Sequence, residues 1–148
     1  IVYDGVRAFH TDTLEQRELV DTELAEVAKR AYIFPELHYA ELDQSARLQG
    51  IVEVNGEPTY RVRVENALDG SVHYNYYAVA SGLLVRQVED RATPEATYHV
   101  VMDFSDHRPV AGILFPHVLR RNEALDLTYT LQAARVDQGI DPKEFRGE

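Results

Sequence analysis

Six histidines are the first residues to test for chemistry: His10, His38, His73, His99, His107 and His117. No two of them stand at HExxH spacing, and none sits beside a carboxylate in a ligand pattern. His99 and His117 fall on neighbouring strand-like segments and could meet across a strand pair as a two-histidine metal site; unligated histidines on a polar face are the commoner arrangement. Asp103 and Asp106 flank Ser105, a spacing that reads first as a turn, with a paired-carboxylate site as the alternative. The eight glycines are scattered at turns and form no phosphate loop, and Ser45, Ser71, Ser81 and Ser105 stand in no GxSxG elbow. Cysteine is absent, which removes disulfides, thiolate metal sites and a thiol nucleophile. The residues give no catalytic constellation, no metal site and no cofactor motif, so the expectation is a binding protein rather than an enzyme.

Nine tyrosines and no tryptophan stand out against that background, with Tyr74, Tyr76 and Tyr77 on one short segment. Strand propensity and cross-strand packing account for such a bias. A lining for an amphipathic or acyl ligand accounts for it too, because a phenol joins apolar area to a polar tip.

The elements that must hold these residues are mostly strands. Ile1–His10 reads as a short strand or a hairpin around Asp4-Gly5, followed by a polar stretch, Thr11–Glu18. Asp21 is placed to cap a helix running to Ala31, with Val20, Leu24, Val27 and Ala31 as its apolar stripe and Glu26–Arg30 as an i,i+4 pair. Tyr32-Ile33-Phe34 before Pro35 forms a candidate plug or lid. From Arg47 the text changes to seven strand-like runs separated by turn signals: Leu48–Val54, Thr59–Glu65, Val72–Val79, Leu83–Glu89, Thr97–Phe104, Val110–Arg120 and Leu125–Val136. Asn55-Gly56, Asp69-Gly70, Ser81-Gly82, Arg91–Glu95 and Asp106–Pro109 are the predicted connections. Short links of this kind make an antiparallel meander. Residues 1–148 are read as one domain, and a chain opening on Ile1 rather than Met is read as an excised domain or processed product.

Alternation then sorts the faces. Tyr60, Val62 and Val64 oppose Arg61, Arg63 and Glu65, and Leu127 and Tyr129 oppose Asp126, Thr128 and Thr130. Other runs are apolar on both sides, as with Tyr98, Val100 and Met102 against Val101. A helix of this length spans about 16 Å, whereas seven strands about 4.8 Å apart span roughly twice that. One helix leaves apolar sheet uncovered, and such a surface meets missing chain, a partner or an apolar ligand. The net charge of −10, with ten acids and four bases in residues 1–46, repels phosphate backbones and anionic membranes, so nucleic acid is excluded as a partner. No apolar run approaches the about 20 residues of a membrane-spanning helix.

The order of short motifs supplies a resemblance. "YDG" precedes an acidic helix and "YIFPEL"; Val54-Asn55-Gly56 precedes "YRVRV"; then come "SGLLVR", "FSDHRPVAGILFPHVL" and "IDPKEF". This series resembles the C-terminal half of the LolA-like outer-membrane lipoprotein-sorting family, in the version associated with insulinase-type zinc peptidases. The resemblance is carried by Ser81 to Arg86, Ser105-Asp106, Gly112-Ile113, Phe115-Pro116 and Asp141 to Phe145. Tyr77 to Ser81 replace the usual acidic turn, and Ala111 replaces the usual Asp before Gly112. The resemblance implies an α+β fold, mainly antiparallel: a strongly curved, half-barrel-like meander of about seven or more strands with one covering helix, here without the family's N-terminal helix and first strands. It further implies a periplasmic or exported, non-catalytic carrier of lipid or lipoprotein. Tyr60, Val62, Tyr74, Tyr76, Tyr98, Val100, Leu127 and Tyr129 are the candidate lining. The alternative is an accessory interaction domain of a larger peptidase-type protein, using the same apolar face as an interface; the peptidases' own HxxEH signature is absent from this chain.

Overall fold

The computed structural model describes residues 1–11, 15–67, 70–92, 97–123, 125–136 and 141. The expected connections at Asp69 and around Pro94, and the motif from Pro142 to Phe145, lie outside the described residues. The chain divides into two compact units, residues 1–42 with 137–148, and residues 43–136.

In the first unit, β1 (Val2–Tyr3), β2 (Ala8–Thr11) and β3 (Gln16–Leu19) make a three-stranded antiparallel sheet. The expected hairpin at Asp4-Gly5 forms. Asp4 Oδ1 accepts the amides of Val6 (2.8 Å) and Arg7 (2.7 Å), and Gly5 takes φ 98°. β3 falls largely within the polar stretch Thr11–Glu18: Gln16-Arg17-Glu18 carries no apolar alternation, but Leu19 opposite Ala8 is buried and pins the pairing. The helix α1 (Asp21–Arg30) also begins one residue earlier than expected. Its N-cap is Val20, which has no side-chain oxygen to offer, so Asp21 acts on the macrodipole from inside the first turn. Glu26 pairs with Lys29 at 3.8 Å instead of Arg30. Arg17 joins β3 to α1 by a bidentate pair with Glu23, 2.7 Å on each arm. A 3₁₀ turn at Pro35–Leu37 follows, with the Tyr32 and His38 rings 4.4 Å apart.

The second unit is a seven-stranded antiparallel sheet: β4 (Gln44–Val54), β5 (Glu57–Asn66), β6 (Val72–Ala78), β7 (Leu84–Ala92), β8 (Thr97–Val110), β9 (Ile113–Asn122) and β10 (Asp126–Thr130). Sequence neighbours are sheet neighbours throughout, and the sheet does not close: β4 and β10 are its edges. The expected mainly antiparallel meander of seven strands, with one α-helix among the described residues, is therefore what the chain forms. Asn55 (φ 53°) and Gly56 (φ 85°) turn β4 into β5 with two consecutive left-handed residues, the requirement that Asn-Gly meets at least cost.

Two connections differ from expectation. β8 continues through Asp106–Pro109, and the turn into β9 is Ala111 (φ 49°) and Gly112 (φ 86°). The register explains it, because Val110 pairs with Ile113 and leaves two residues for the hairpin. β10 stops at Thr130 rather than Val136. One further bond, from the Leu131 amide to the His117 carbonyl at 2.8 Å, follows the end of the strand.

Candidate functional site

Cross-strand register assigns every strand residue to one of two faces, because directly opposed residues share a face and successive ones alternate. One row crosses all seven strands on the first face: Leu48, Val62, Asn75, Gln87, Met102, Arg121 and Leu127. On the second face the neighbouring row is Gly50, Arg61, Tyr76, Arg86, Asp103, Arg120 and Thr128. The first face carries most of the large apolar side chains, with His73, Asn75, Gln87, Glu89 and Arg121 among them, and the second is an arginine, acid and tyrosine lattice.

This arrangement divides the eight candidate lining residues. Tyr60, Val62, Tyr98, Val100, Leu127 and Tyr129 share the first face. Tyr74 and Tyr76 lie on the second, opposite Arg63 and Arg61 respectively. Alternation sorts residues within a strand, but only the register can say which face of one strand continues which face of the next. Six of the eight form a common surface, and the two phenols of β6 belong to a different one.

The first face is unevenly covered. Val64 and Val100 are fully buried, while Tyr60, Tyr98, Leu127 and Tyr129 are 37%, 41%, 43% and 52% exposed. Leu48 and Ile51 on the outer strand are more open still, at 64% and 60%. Asn75 on this face is buried; it accepts from Gln87 Nε2 at 3.0 Å and donates to the Tyr77 hydroxyl at 3.3 Å. Sequence reading missed this pair because the two amides stand twelve residues apart in polar surroundings.

The second face holds several of its charges in pairs. Arg86 clamps Asp103 with two bonds, 2.6 and 3.0 Å, and the carboxylate holds the guanidinium pKa above its ordinary value. Asp103 is thereby tied on one face, while Asp106 pairs with Arg108 further along β8. The two carboxylates form no joint acid–base site. His99 pairs with Asp90 on β7, and His117 is buried with its Nδ1 2.9 Å from the Phe115 carbonyl oxygen. β8 pairs Ser105 with Val118, so His99 and His117 lie several residues apart along the strands and make no two-histidine site. Among the described residues no group of three or more His, Asp or Glu could hold a metal ion.

Two histidines carry a pH dependence. Burial lowers the His73 pKa against a smaller opposing pull from Glu89, and burial likewise lowers His107 against a hydrogen bond with the Leu84 backbone. Both imidazoles therefore resist protonation when folded, while the unfolded chain takes up protons near pH 6.5. The unfolded state then binds more protons below that value. Stability is complete above about pH 6.5 and falls as the pH drops towards the depressed native values. The urea midpoint should decrease between about pH 7 and 5.5, with a shallower slope in His73→Asn. A midpoint flat across that window would contradict the burial of both rings. The paired carboxylates Glu65 and Asp106, lowered by Arg63 and Arg108, act only below their ordinary values of 4.5 and 3.8.

No helix among the described residues is long and apolar enough to cross a membrane. Comparison with family models, with curated proteins and with solved structures returned no match.

Proposed function

We propose that the first face of the seven-stranded sheet is a non-catalytic binding surface for an apolar or acylated ligand, and that the chain works as a carrier-like domain. One observation carries this reading: large side chains from β4, β5, β8 and β10 share one face and remain between 37% and 64% exposed. Removing a Leu, Ile or Phe side chain from water is worth about 1.5–3 kcal/mol, so a flat cluster of half-covered ones binds hydrocarbon without any special chemistry. The tyrosines on this face add rigid apolar area with a polar end for the ligand's carbonyl or the surrounding water. The resemblance to the LolA-like proteins supports the same ligand class and, with it, an exported location.

The test is a fluorescent fatty-acid probe titrated against the full chain. Tyr60→Asp and Leu127→Asp place a charge on the face at exposed positions, so the fold should survive in circular dichroism. Each should weaken probe binding about tenfold, the worth of one half-buried apolar contact replaced by a charge. Thr128→Asp, on the opposite face of the same strand, should leave it unchanged. Absence of saturable probe binding in the parent chain would sink the carrier reading. Concentration-dependent self-association or a stoichiometric protein partner on that face would then support the interaction-domain alternative.

A further inference from the structure

The second face contains an arrangement that its ion pairs do not complete. Arg47 on β4 and Arg63 on β5 are direct cross-strand partners, and Arg61 lies two residues along β5 on the same side. Like charges set directly opposite each other destabilise a sheet. In a chain of net charge −10, three arginines converging on two adjacent strands are not the overflow of a basic composition. Glu65 answers part of this charge. It is bonded to Arg63, its carboxyl is held below the ordinary range mainly by that bond, and Arg47 adds a smaller pull. One carboxylate thus serves two guanidiniums.

Arg61 is held differently. Its guanidinium lies 4.2 Å from the centre of the Tyr74 ring, a stacking contact that fixes the plane without using the N–H groups. Its Nε is buried and has no hydrogen-bond partner. Across the ladder from Arg61 stands Gly50, at φ 127° beside a β-bulge, and nothing lies within 4 Å of the position a Cβ would occupy there. The outer strand therefore sets no side chain directly opposite Arg61.

We infer that Arg47, Arg61 and Arg63 form a binding site for a phosphate group on the second face of β4 and β5. A phosphate presents several oxygens in a tetrahedral array, enough to take bonds from more than one guanidinium, and it supplies the negative charge that the opposed arginines lack. Neutral hydrocarbon has no use for this surface, so the site is independent of the apolar face behind it. The overall negative charge disfavours a polyanion and favours a small phosphate ester or a single lipid headgroup.

Arginine Nε–H resonances of the full chain, followed by NMR during titration with inorganic phosphate against sodium chloride of equal ionic strength, test the site directly. The Arg61 resonance should shift saturably. Arg47→Gln, at an exposed position that leaves the fold intact, should weaken the effect about tenfold, the cost of losing one charge-assisted hydrogen bond. Arg120→Gln, on the same face but four strands from Arg61, should not. Flotation with phosphatidylglycerol against phosphatidylcholine vesicles separates the sources. Phosphatidylglycerol-specific flotation that Arg47→Gln abolishes identifies a headgroup, whereas a phosphate shift without flotation identifies a soluble ester. No saturable shift together with no such flotation overturns the site, as does an Arg47→Gln chain that keeps full affinity.

Discussion

Replacing Val64 by aspartate should cost the chain about 3–5 kcal/mol, because it places a carboxyl at a fully buried position with no cation to receive it. Set against a total stability of about 5–15 kcal/mol, that is enough to unfold much of the population at 25 °C. Val64 is flanked directly by Ala46 on β4 and His73 on β6, neither of which offers a fixed positive charge when the imidazole resists protonation. Urea unfolding followed by circular dichroism measures the loss; tyrosine fluorescence is the second probe, since the chain has no tryptophan. Val62→Asp is the internal comparison. Val62 sits two residues along the same face and is only half-buried, so its penalty should be clearly smaller. Equal penalties at the two positions would mean that the face is uniformly wet or uniformly covered, and the gradient of exposure described above would be wrong.

Asn75→Ala should also be costly, at about 1–3 kcal/mol. The loss is not one of volume. It removes the oxygen that Gln87 Nε2 bonds at 3.0 Å and the donor to the Tyr77 hydroxyl, at a buried position directly opposite Val62. Asn75→Leu fills the space but restores neither bond, so it should recover little. A double-mutant cycle with Gln87→Ala isolates the pair, and a coupling energy of about 0.5–3 kcal/mol is expected. A coupling near zero would show that water replaces each amide freely, which a residue only 2% exposed does not permit.

The strands were legible because their alternation is strong. Tyr60-Arg61-Val62-Arg63-Val64 can only be a two-faced strand, and Asn55-Gly56 can only be the link that precedes it. Elements whose stabilisation is non-local were harder to read. Gln16–Leu19 is a strand because Ala8 and Leu19 bury one another, and nothing in its own four residues announces that. The turn into β9 was hidden by chemistry. Ala111 occupies a left-handed position that Asn or Asp tolerates more easily, and the polar run Asp106–Pro109 nearby looked like the better turn. Tyr74 and Tyr76 stand apart from the other six lining candidates because the pairing of β5 with β6, which alternation within one strand does not fix, sets Val62 opposite Asn75. The arginines of the second face were visible in "YRVRV" but read only as a wet surface. Their convergence depends on Arg47 arriving opposite Arg63, which register alone decides.

The bulge between Leu48 and Gly50 has a bearing on what this sheet can join. An open sheet ends in strands whose outward amides and carbonyls could template a further strand, the usual beginning of runaway stacking. β4 is the longer rim, at eleven residues against five in β10. Its outward hydrogen-bonding rhythm is interrupted midway by an extra residue and a glycine in an unusual conformation, which twists the rim away from a straight neighbour. Growth sideways is thus discouraged at the very strand with the most length to offer it. Any guest of this molecule is steered to lie across its broad surfaces instead of extending its border.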